Sequence, residues 1–323
     1  MSSNPAPLVS VYIPTYYHEK YISQAIESVL AQKTNFEYEI IITDDASKDK
    51  TPEIIQEYAN QYNNIRCFIN KKNIGLSNNM LLGKQLCTGK YIIELSGDDY
   101  WIDDFKLQKQ VDFLEKHPEF IAVCTRIEAR ADNEVKPLMI LPDLKLCEKK
   151  FTKDMFLKGI NLPLNGIMIR NVMLDDKSRR LFEAMPSISP YIDDLTDNLF
   201  ILMTGDAYIL KDVTVAYRTR RKIKTDRNFN SMNKGLQFFE RHIDLLNNLD
   251  EYLNHSEDLF HRYKMVVLSG FIQSVSMKQF DKFYKKYKSI PEHYRKRHLA
   301  LSCIGMVPSK TINKLVRGRI RIE

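Results

Sequence analysis

Strand and helix patterns alternate over the first 125 residues, and this alternation limits the possible folds more than any other feature of the sequence. The apolar run LVSVYI at 8–13 is typical of a buried strand, and residues 19–32 then repeat apolar side chains at the spacing of one helix face. The pair recurs, with strands predicted at 39–43, 65–69, 91–95 and 120–125 and helices beginning near Thr51, Ser77 and Lys106. Such repeats predict an α/β fold, an open twisted sheet of mostly parallel strands flanked by helices.

The rest of the chain is less regular. Residues 127–150 have no clean period and are interpreted as a loop region, either in contact with substrate or inserted at the surface. Two further strands, at 165–170 and 206–210, enclose a helix that begins near Asp193. Beyond Arg227 only helices are predicted, at 231–253, 256–277 and 292–303. A chain of 323 residues is long enough for one large and one smaller domain.

Composition and cysteine usage indicate the compartment. With 44% hydrophobic and 28% charged residues, the chain has the balance of a soluble globular protein. No run approaches the roughly 20 apolar residues of a spanning helix, and the first ten residues lack the features of a signal peptide, so a cytoplasmic protein is expected. The cysteines are odd in number and lack CxxC pairs, which favours reduced structural thiols over a zinc site. They are Cys67, Cys87, Cys124, Cys147 and Cys303.

The net charge of +7 is unevenly distributed, because the basic excess lies after about residue 210. Such a surface attracts nucleic acid, anionic lipid or anionic small substrates. No zinc finger, RNA-binding aromatic motif or repeat accompanies these charges, which argues against nucleic acid. In the tail from Lys310 to Arg321 basic residues are interleaved with apolar ones. This pattern suits either the surface of an anionic membrane or a helix end packed on the domain.

Polar side chains follow three predicted strands at their carboxyl ends, where open α/β sheets bind ligands. They are Pro14, Thr15, Tyr16 and Glu19 after the first strand, Asp44 and Asp45 after the second, and Asp98 and Asp99 after the fourth. Carboxylates gathered at one edge repel one another unless a cation or hydrogen-bond donors lie between them. A nucleotide and a divalent metal meet this condition, and hard oxygen ligands favour Mg²⁺ or Mn²⁺. Each cluster, taken singly, is also compatible with turn and N-cap residues.

Five ordered segments together are more specific than any one cluster. They are VSVYIPTYY, EIIITDDASKDKT, NKKNIGLSNNM, TGKYIIELSGDDYW followed by KLQKQVDFLEKHPE, and DDLTDNLFILMTGDAYILKDVTVAYR. Over about residues 8–220 the chain resembles the family-2 glycosyltransferases with the GT-A fold. The resemblance implies a GT-A domain over 1–225, with nucleotide-sugar binding over about 8–125 and the acceptor side over about 126–225. A helical C-terminal region over 226–323 would follow it.

The resemblance also implies roles for single residues. Asp98 and Asp99 are similar to the family's metal motif, with Asp99 as the ligand of Mn²⁺ or Mg²⁺. Asp45 would hydrogen-bond the base, and Trp101, the single tryptophan, would flank the sugar unless it is a core aromatic. The nucleotide and donor sugar would be bound by Pro14, Thr15, Tyr16, Glu19, Asp45, Asn73, Gly75, Ser77, Asp98 and Trp101.

An acidic pair, Asp193 and Asp194, precedes Gly205 at the spacing where the family has the acid that deprotonates the acceptor. The first acid is Asp where the family usually has Glu, and a third acid, Asp197, lies one helical turn further on. The base is therefore expected to be Asp194 or Asp193, an assignment less firmly fixed than that of the metal ligand.

These roles imply an inverting transfer of a sugar from a nucleoside diphosphate donor, expected to be a UDP-sugar, to an acceptor hydroxyl. The sequence lacks the Gln-x-x-Arg-Trp motif of processive synthases, which favours single addition. The expected acceptor is a lipid-linked saccharide of capsule, O-antigen or another surface polysaccharide, met at the inner face of the cell membrane.

Two alternatives to this function remain. One is a non-catalytic nucleotide-sugar-binding protein of the same fold. The other is a sugar nucleotidyltransferase, although its usual glycine-rich phosphate loop is replaced by PTYYHEK.

Overall fold

The repeated strand and helix patterns form a sheet unit in the computed structural model, which describes residues 6–131, 136–190, 194–219, 236–277 and 279–297. The sheet unit comprises Met1–Phe156 and Ile160–Lys224, and a helical unit comprises Leu157–Gly159 and Thr225–Glu323. None of the helices within the described ranges is both long and apolar enough to cross a membrane.

Four parallel strands form the first half of the sheet, in the order β3-β2-β1-β4. They are β1 (Val9–Thr15), β2 (Tyr38–Asp44), β3 (Ile65–Ile69) and β4 (Tyr91–Glu94). The helices between and after them are α1 (Ile22–Leu30), α2 (Thr51–Gln61), α3 (Leu76–Leu86) and α4 (Lys106–Lys116). The predicted apolar face of α1 is buried through Ile22, Ala25, Ile26 and Val29. Because these side chains recur every three or four residues, the helix covers the sheet with one stripe.

The second half of the sheet continues from β4 in the order β9-β6-β10-β5. Its strands are β5 (Tyr100–Trp101), β6 (Phe120–Arg130), β7 (Met139–Leu141), β8 (Lys149–Phe151), β9 (Ile167–Arg170) and β10 (Asp206–Arg218). The accompanying helices are α5 (Lys153–Leu157), α6 (Asp176–Glu183), α7 (Met185–Ile188) and α8 (Asp194–Thr204). Strands β6 and β10 pair in parallel, whereas β9 is antiparallel to both β4 and β6. The predicted α/β fold, a sheet with a parallel core flanked by helices, is confirmed.

The interpretation of residues 127–150 as a loop region was wrong for the parts of this stretch that form strands. Strand β6 continues to Arg130, and β7 and β8 follow within the same stretch. Much of β6 is buried on both faces, so its sequence has no two-residue alternation to indicate a strand. Its long parallel pairing with β10 stabilises it, and this partner lies far away in the sequence.

The helical unit contains α9 (Leu236–Tyr252), α10 (Phe260–Met277), α11 (Phe280–Tyr287) and α12 (Glu292–Lys296). Helices α9 and α10 approach closely at Gly270, where an added Cβ would lie 2.3 Å from the Phe239 ring. The helices predicted at 231–253 and 256–277 are present as α9 and α10, although α10 begins at Phe260, four residues later than predicted. The helix predicted at 292–303 ends at Lys296, earlier than predicted, with Arg297 as its C-cap. The basic tail from Lys310 lies outside the described residues.

Candidate active site

The carboxyl ends of β1, β2 and β4 meet at one edge of the sheet, as their parallel order requires. Thr15 lies beside Asp44 in the β1–β2 register. The Asp45 amide donates to the Thr15 carbonyl at 3.0 Å, and the Gly97 amide donates to the Pro14 carbonyl at 3.1 Å. The three polar clusters predicted from the sequence are therefore brought together at this edge.

Asp45 organises the loop that precedes α3. It is 4% exposed, and its carboxylate accepts hydrogen bonds from the Ile74 amide at 2.7 Å and the Gly75 amide at 3.0 Å. The Asn73 side chain donates to the Asp45 carbonyl, and Gly75 has a φ of 87°, a conformation that favours glycine. Asp45, Asn73 and Gly75 thus form one structural group, and their contact with a nucleotide stays a prediction.

The loops after β1 and β2 are cross-linked by polar contacts. Ser47 accepts from the Tyr17 amide at 2.8 Å, and exposed Glu19 accepts from the Lys50 amide at 3.0 Å. Asp44 accepts from both the amide and the hydroxyl of Ser47. Burial raises the pKa of Asp44, and the Ser47 hydrogen bonds oppose this shift in part. Asp44 is therefore a turn residue, the alternative that the sequence left open for this cluster. The Tyr16 side chain next to the cluster is exposed.

Asp98 and Asp99 lie in the same turn but in different surroundings. Asp99 is 1% exposed, and its two oxygens accept from the Asn165 side chain at 2.5 Å and the Arg218 amide at 2.8 Å. The Asp98 side chain is 27% exposed, and its Oδ2 lies 3.9 Å from His18 Nε2. Of the two carboxylates, Asp98 is the one accessible from solvent.

Gly97 allows this turn to approach β1. A Cβ at this position would lie 2.8 Å from His18 Nδ1 and 2.9 Å from the Thr15 hydroxyl. A larger residue would therefore push the acidic turn away from the β1 end. The glycine before the acidic pair accordingly places Asp98 beside His18.

Arg218, His18 and Asn165 belong to this edge but were not predicted from the sequence. The Arg218 guanidinium lies over the rings of Tyr21 and Tyr100, 4.9 and 4.6 Å from their centroids, and donates to the Asp98 carbonyl. In the sequence Arg218 is only one cation at the start of a basic segment. The pairing of β10 with β6 and β5 is what brings it to the acidic turn.

Trp101 and Ser77, like Pro14, Thr15 and Asp45, are predicted donor-binding residues that lie below the surface. Trp101 is 4% exposed and packs within the hydrophobic core of the sheet unit, with Lys106 Nζ 5.6 Å from its ring centroid. It is thus a core aromatic, the alternative that the sequence left open. Ser77 is fully buried and its hydroxyl donates to the Ser189 carbonyl. In this conformation Ser77 fixes the segment before α8 and has no solvent-facing surface.

The acidic residues of α8 separate by burial. Asp194, the first residue of the helix, is exposed. Asp197 is 2% exposed, and its Oδ2 lies 2.7 Å from Nζ of the equally buried Lys84. Asp193 lies outside the described residues. The Ser77 contact with Ser189 places the end of α7 against the start of α3, beside the loop that Asp45 organises.

A buried polar cluster lies beneath α3 and α8. Its carboxylates belong to Asp197 and Glu94, and Glu94 accepts a hydrogen bond from the Tyr12 hydroxyl. These side chains and Lys84 line a cavity of about 20 Å³, large enough for one water molecule. Burial raises the pKa of Glu94 to about 7, against the opposing effect of Lys84.

Comparison with known proteins agrees with this arrangement. The sequence model of glycosyl transferase family 2 matches residues 10–174, just over half of the 323 residues. An uncharacterized glycosyltransferase of Rickettsia typhi is 30% identical over 181 residues, which cover 54% of this chain and 55% of that protein. The chain spans about half the length of the curated relatives that it matches.

Solved structures share the fold. S. aureus TarS (1–349) in complex with UDP-GlcNAc has a TM-score of 0.55 and 18% identity, over 83% of this chain and 72% of that one. The mannosyltransferase PcManGT of Pyrobaculum calidifontis, in complex with GDP-Man and Mn²⁺, has a TM-score of 0.57 and 12% identity, over 94% and 81%. At these identities the likeness concerns the fold alone. The match over 10–174 spans the ends of β1, β2 and β4 and the acidic turn that follows β4, so the chain belongs to glycosyl transferase family 2.

Proposed function

We propose that this chain is an inverting glycosyltransferase that moves a sugar from a nucleoside diphosphate donor, expected to be a UDP-sugar, to an acceptor hydroxyl. The observation that carries the proposal is the partly exposed Asp98 carboxylate, at the edge where the loops after β1 and β2 converge. Family membership supports the reaction class. The UDP-GlcNAc and GDP-Man complexes of the two similar structures support a nucleotide-sugar donor.

The donor nucleotide is proposed to lie on the loops after β1 and β2. Pro14, Thr15, Tyr16 and Glu19 would form one side of its site, and the loop held by Asp45 the other. Two backbone amides already bind the Asp45 carboxylate, so its main role in this proposal is to hold Asn73 and Gly75 in position for the nucleotide. Such preorganisation lowers the entropic cost of binding.

The acidic turn is proposed to hold Mn²⁺ or Mg²⁺. Its donors are carboxylate oxygens, which suit hard divalent cations. Asp98 fits this role better than Asp99, because Asp99 already accepts two hydrogen bonds and is buried. When bound, the metal would neutralise charge on the departing diphosphate as a Lewis acid. The Arg218 guanidinium, held between Tyr21 and Tyr100, adds a fixed positive charge at the same turn.

Calorimetry of UDP binding with and without Mn²⁺ tests this assignment. Asp98→Asn is expected to abolish the metal-dependent part of UDP affinity while leaving the fold intact, because it removes the charge of an accessible ligand. Asp99→Asn is expected to lower stability as well, since Asp99 is bonded to Arg218 and Asn165. Unchanged Mn²⁺-dependent affinity in Asp98→Asn, with loss in a folded Asp99→Asn, would assign the metal to Asp99 instead.

Asp194 is proposed as the base that takes the acceptor proton. It is exposed at the start of α8, whereas Asp197 is held in a buried ion pair. Asp194→Asn should leave donor affinity near wild type while transfer falls by roughly 10² or more, the effect expected for loss of a general base. An inactive Asp193→Asn beside an active Asp194→Asn would identify Asp193 as the base.

The acceptor is proposed to be a lipid-linked saccharide of a surface polysaccharide, met at the inner face of the membrane. The basic tail would contact anionic lipid there, and flotation with anionic liposomes tests this contact. Equal recovery of the full chain and a chain truncated at Val307 would remove the membrane role from the tail.

Hydrolysis and transfer from a panel of UDP-sugars with and without Mn²⁺ test the reaction itself. Binding without turnover would favour the non-catalytic alternative.

A further inference from the structure

Three metal-binding side chains meet within the helical unit. Asp250 lies near the end of α9, His255 in the loop after it, and His293 on α12. One donor atom from each lies within 4.8 Å of the other two. The cluster therefore joins three separate segments of this unit.

Asp250 is a buried carboxylate in an unusual setting. It is fully buried, its Oδ1 accepts from the Tyr294 hydroxyl at 2.9 Å, and its Oδ2 lies 2.7 Å from His255 Nδ1. Within the described ranges no lysine or arginine forms an ion pair with it. A carboxylate removed from water requires a cation or several hydrogen-bond donors. Among the described residues, the side chains that face this carboxylate are the Tyr294 hydroxyl and the imidazoles of His255 and His293.

The two histidines form the open side of the cluster. The His255 side chain is 57% exposed and His293 is also exposed. The centroids of their two rings lie 5.5 Å apart. The structure shows no hydrogen bond from any described residue to the His293 ring nitrogens. An ion can thus enter from solvent. Donor atoms in a tetrahedral zinc site lie about 3.3 Å from one another, so the exposed rings would turn toward the ion on binding it.

We propose that Asp250, His255 and His293 bind one divalent transition-metal ion of the zinc class, with water as the fourth ligand. Imidazole nitrogen favours such ions over Mg²⁺ or Mn²⁺, and three protein ligands with one open position are a known zinc arrangement. Tyr294 acts as the outer partner that orients the carboxylate, because its hydroxyl fixes Oδ1 and leaves Oδ2 directed at His255. The ion would neutralise Asp250 and tie the end of α9 to the following loop and to α12. This inference does not depend on the proposed transfer reaction.

Zinc titration of the full chain tests the site. The protein is freed of metal with a chelator and titrated calorimetrically with Zn²⁺ at about pH 7.5, without nucleotide. We expect one equivalent of zinc to bind, with X-ray absorption showing mixed nitrogen and oxygen ligands. His255→Ala and His293→Ala should each weaken this binding at least about tenfold, the loss typical even of an outer-sphere partner.

Two controls separate this site from other metal-binding groups. His261→Ala removes an exposed histidine of α10 in the same unit, and Asp98→Asn removes the candidate ligand of the sheet unit. Both should leave the zinc affinity unchanged. Both cluster histidines are exposed, so their alanine variants are expected to fold, and circular dichroism checks this. Absence of zinc binding at submillimolar concentration, or equal affinity in wild type, His255→Ala and His293→Ala, would overturn the proposal.

Discussion

Replacing Lys84 by Met is expected to destabilise the sheet unit strongly. Lys84 Nζ lies 2.7 Å from Asp197 Oδ2, and both side chains are 2% exposed. Glu94 lines the same cavity, so one ammonium serves two buried carboxylates. Among the atoms that the structure describes, Asp197 Oδ1 has no hydrogen-bond partner. Loss of the amine would therefore leave Asp197 without its cation beside a cavity with room for about one water molecule.

The expected magnitude follows from this burial. Met preserves the length of the Lys84 side chain, so the change removes charge rather than volume. Breaking a buried ion pair by removing one partner destabilises by about 3–5 kcal/mol. At about pH 6, where the raised pKa keeps Glu94 protonated, the double variant Lys84→Met/Asp197→Leu leaves no charge in this cavity and should lie within about 1 kcal/mol of wild type or above it. Lys90→Met is the matched control, because Lys90 pairs with Glu115 at the same 2.7 Å but with side chains 50% and 44% exposed. An exposed pair contributes only about 0–1 kcal/mol.

Urea unfolding followed by tryptophan fluorescence measures these free energies. Trp101 is the single tryptophan and lies in the core of the sheet unit, so its emission reports on this unit. Urea midpoints and slopes of wild type, Lys84→Met, Asp197→Leu and the double variant give the coupling between Lys84 and Asp197. A destabilisation by Lys84→Met no larger than that by Lys90→Met would contradict the expected ion-pair energy, as would a double variant less stable than either Lys84→Met or Asp197→Leu.

Two pH-dependent predictions concern other buried ionisable groups, and the same urea assay measures both. Burial raises the pKa of Glu94 to about 7, so its stabilising contribution is complete below about pH 4.5 and is lost as the pH rises through 7. Glu94→Gln should therefore gain about 2–3 kcal/mol relative to wild type between about pH 5 and pH 8, and a constant difference would contradict this. Among the described residues, Lys106 donates to the Thr125 and Thr214 hydroxyls, and burial lowers its pKa to about 7. The buried amine destabilises the fold fully below about pH 7, and this effect is relieved toward pH 10. The gain in free energy of unfolding of Lys106→Met over wild type should therefore shrink between about pH 6 and pH 9. An unchanged or growing gain would exclude a neutral buried amine.

Much of the fold was predictable because its signals are local. Helix α1 follows from the three- and four-residue spacing of Ile22, Ala25, Ile26 and Val29, and all four are buried as predicted. The position of the acidic turn follows equally from the sequence, since parallel strands bring their carboxyl ends to one edge. Strand β6 beyond Thr125 was missed, because a strand buried on both faces lacks alternation and is held by a distant partner.

The sequence by itself determined that acidic residues gather at the β4 end and at the start of α8. Only the tertiary structure decided which of these carboxylates solvent can reach. Asp99 is buried by contact with Arg218, 119 residues away, and Asp197 by Lys84, 113 residues away. Adjacent acids such as Asp98 and Asp99 are chemically identical in a sequence, and they differ only through the desolvation and hydrogen bonds that such distant partners impose.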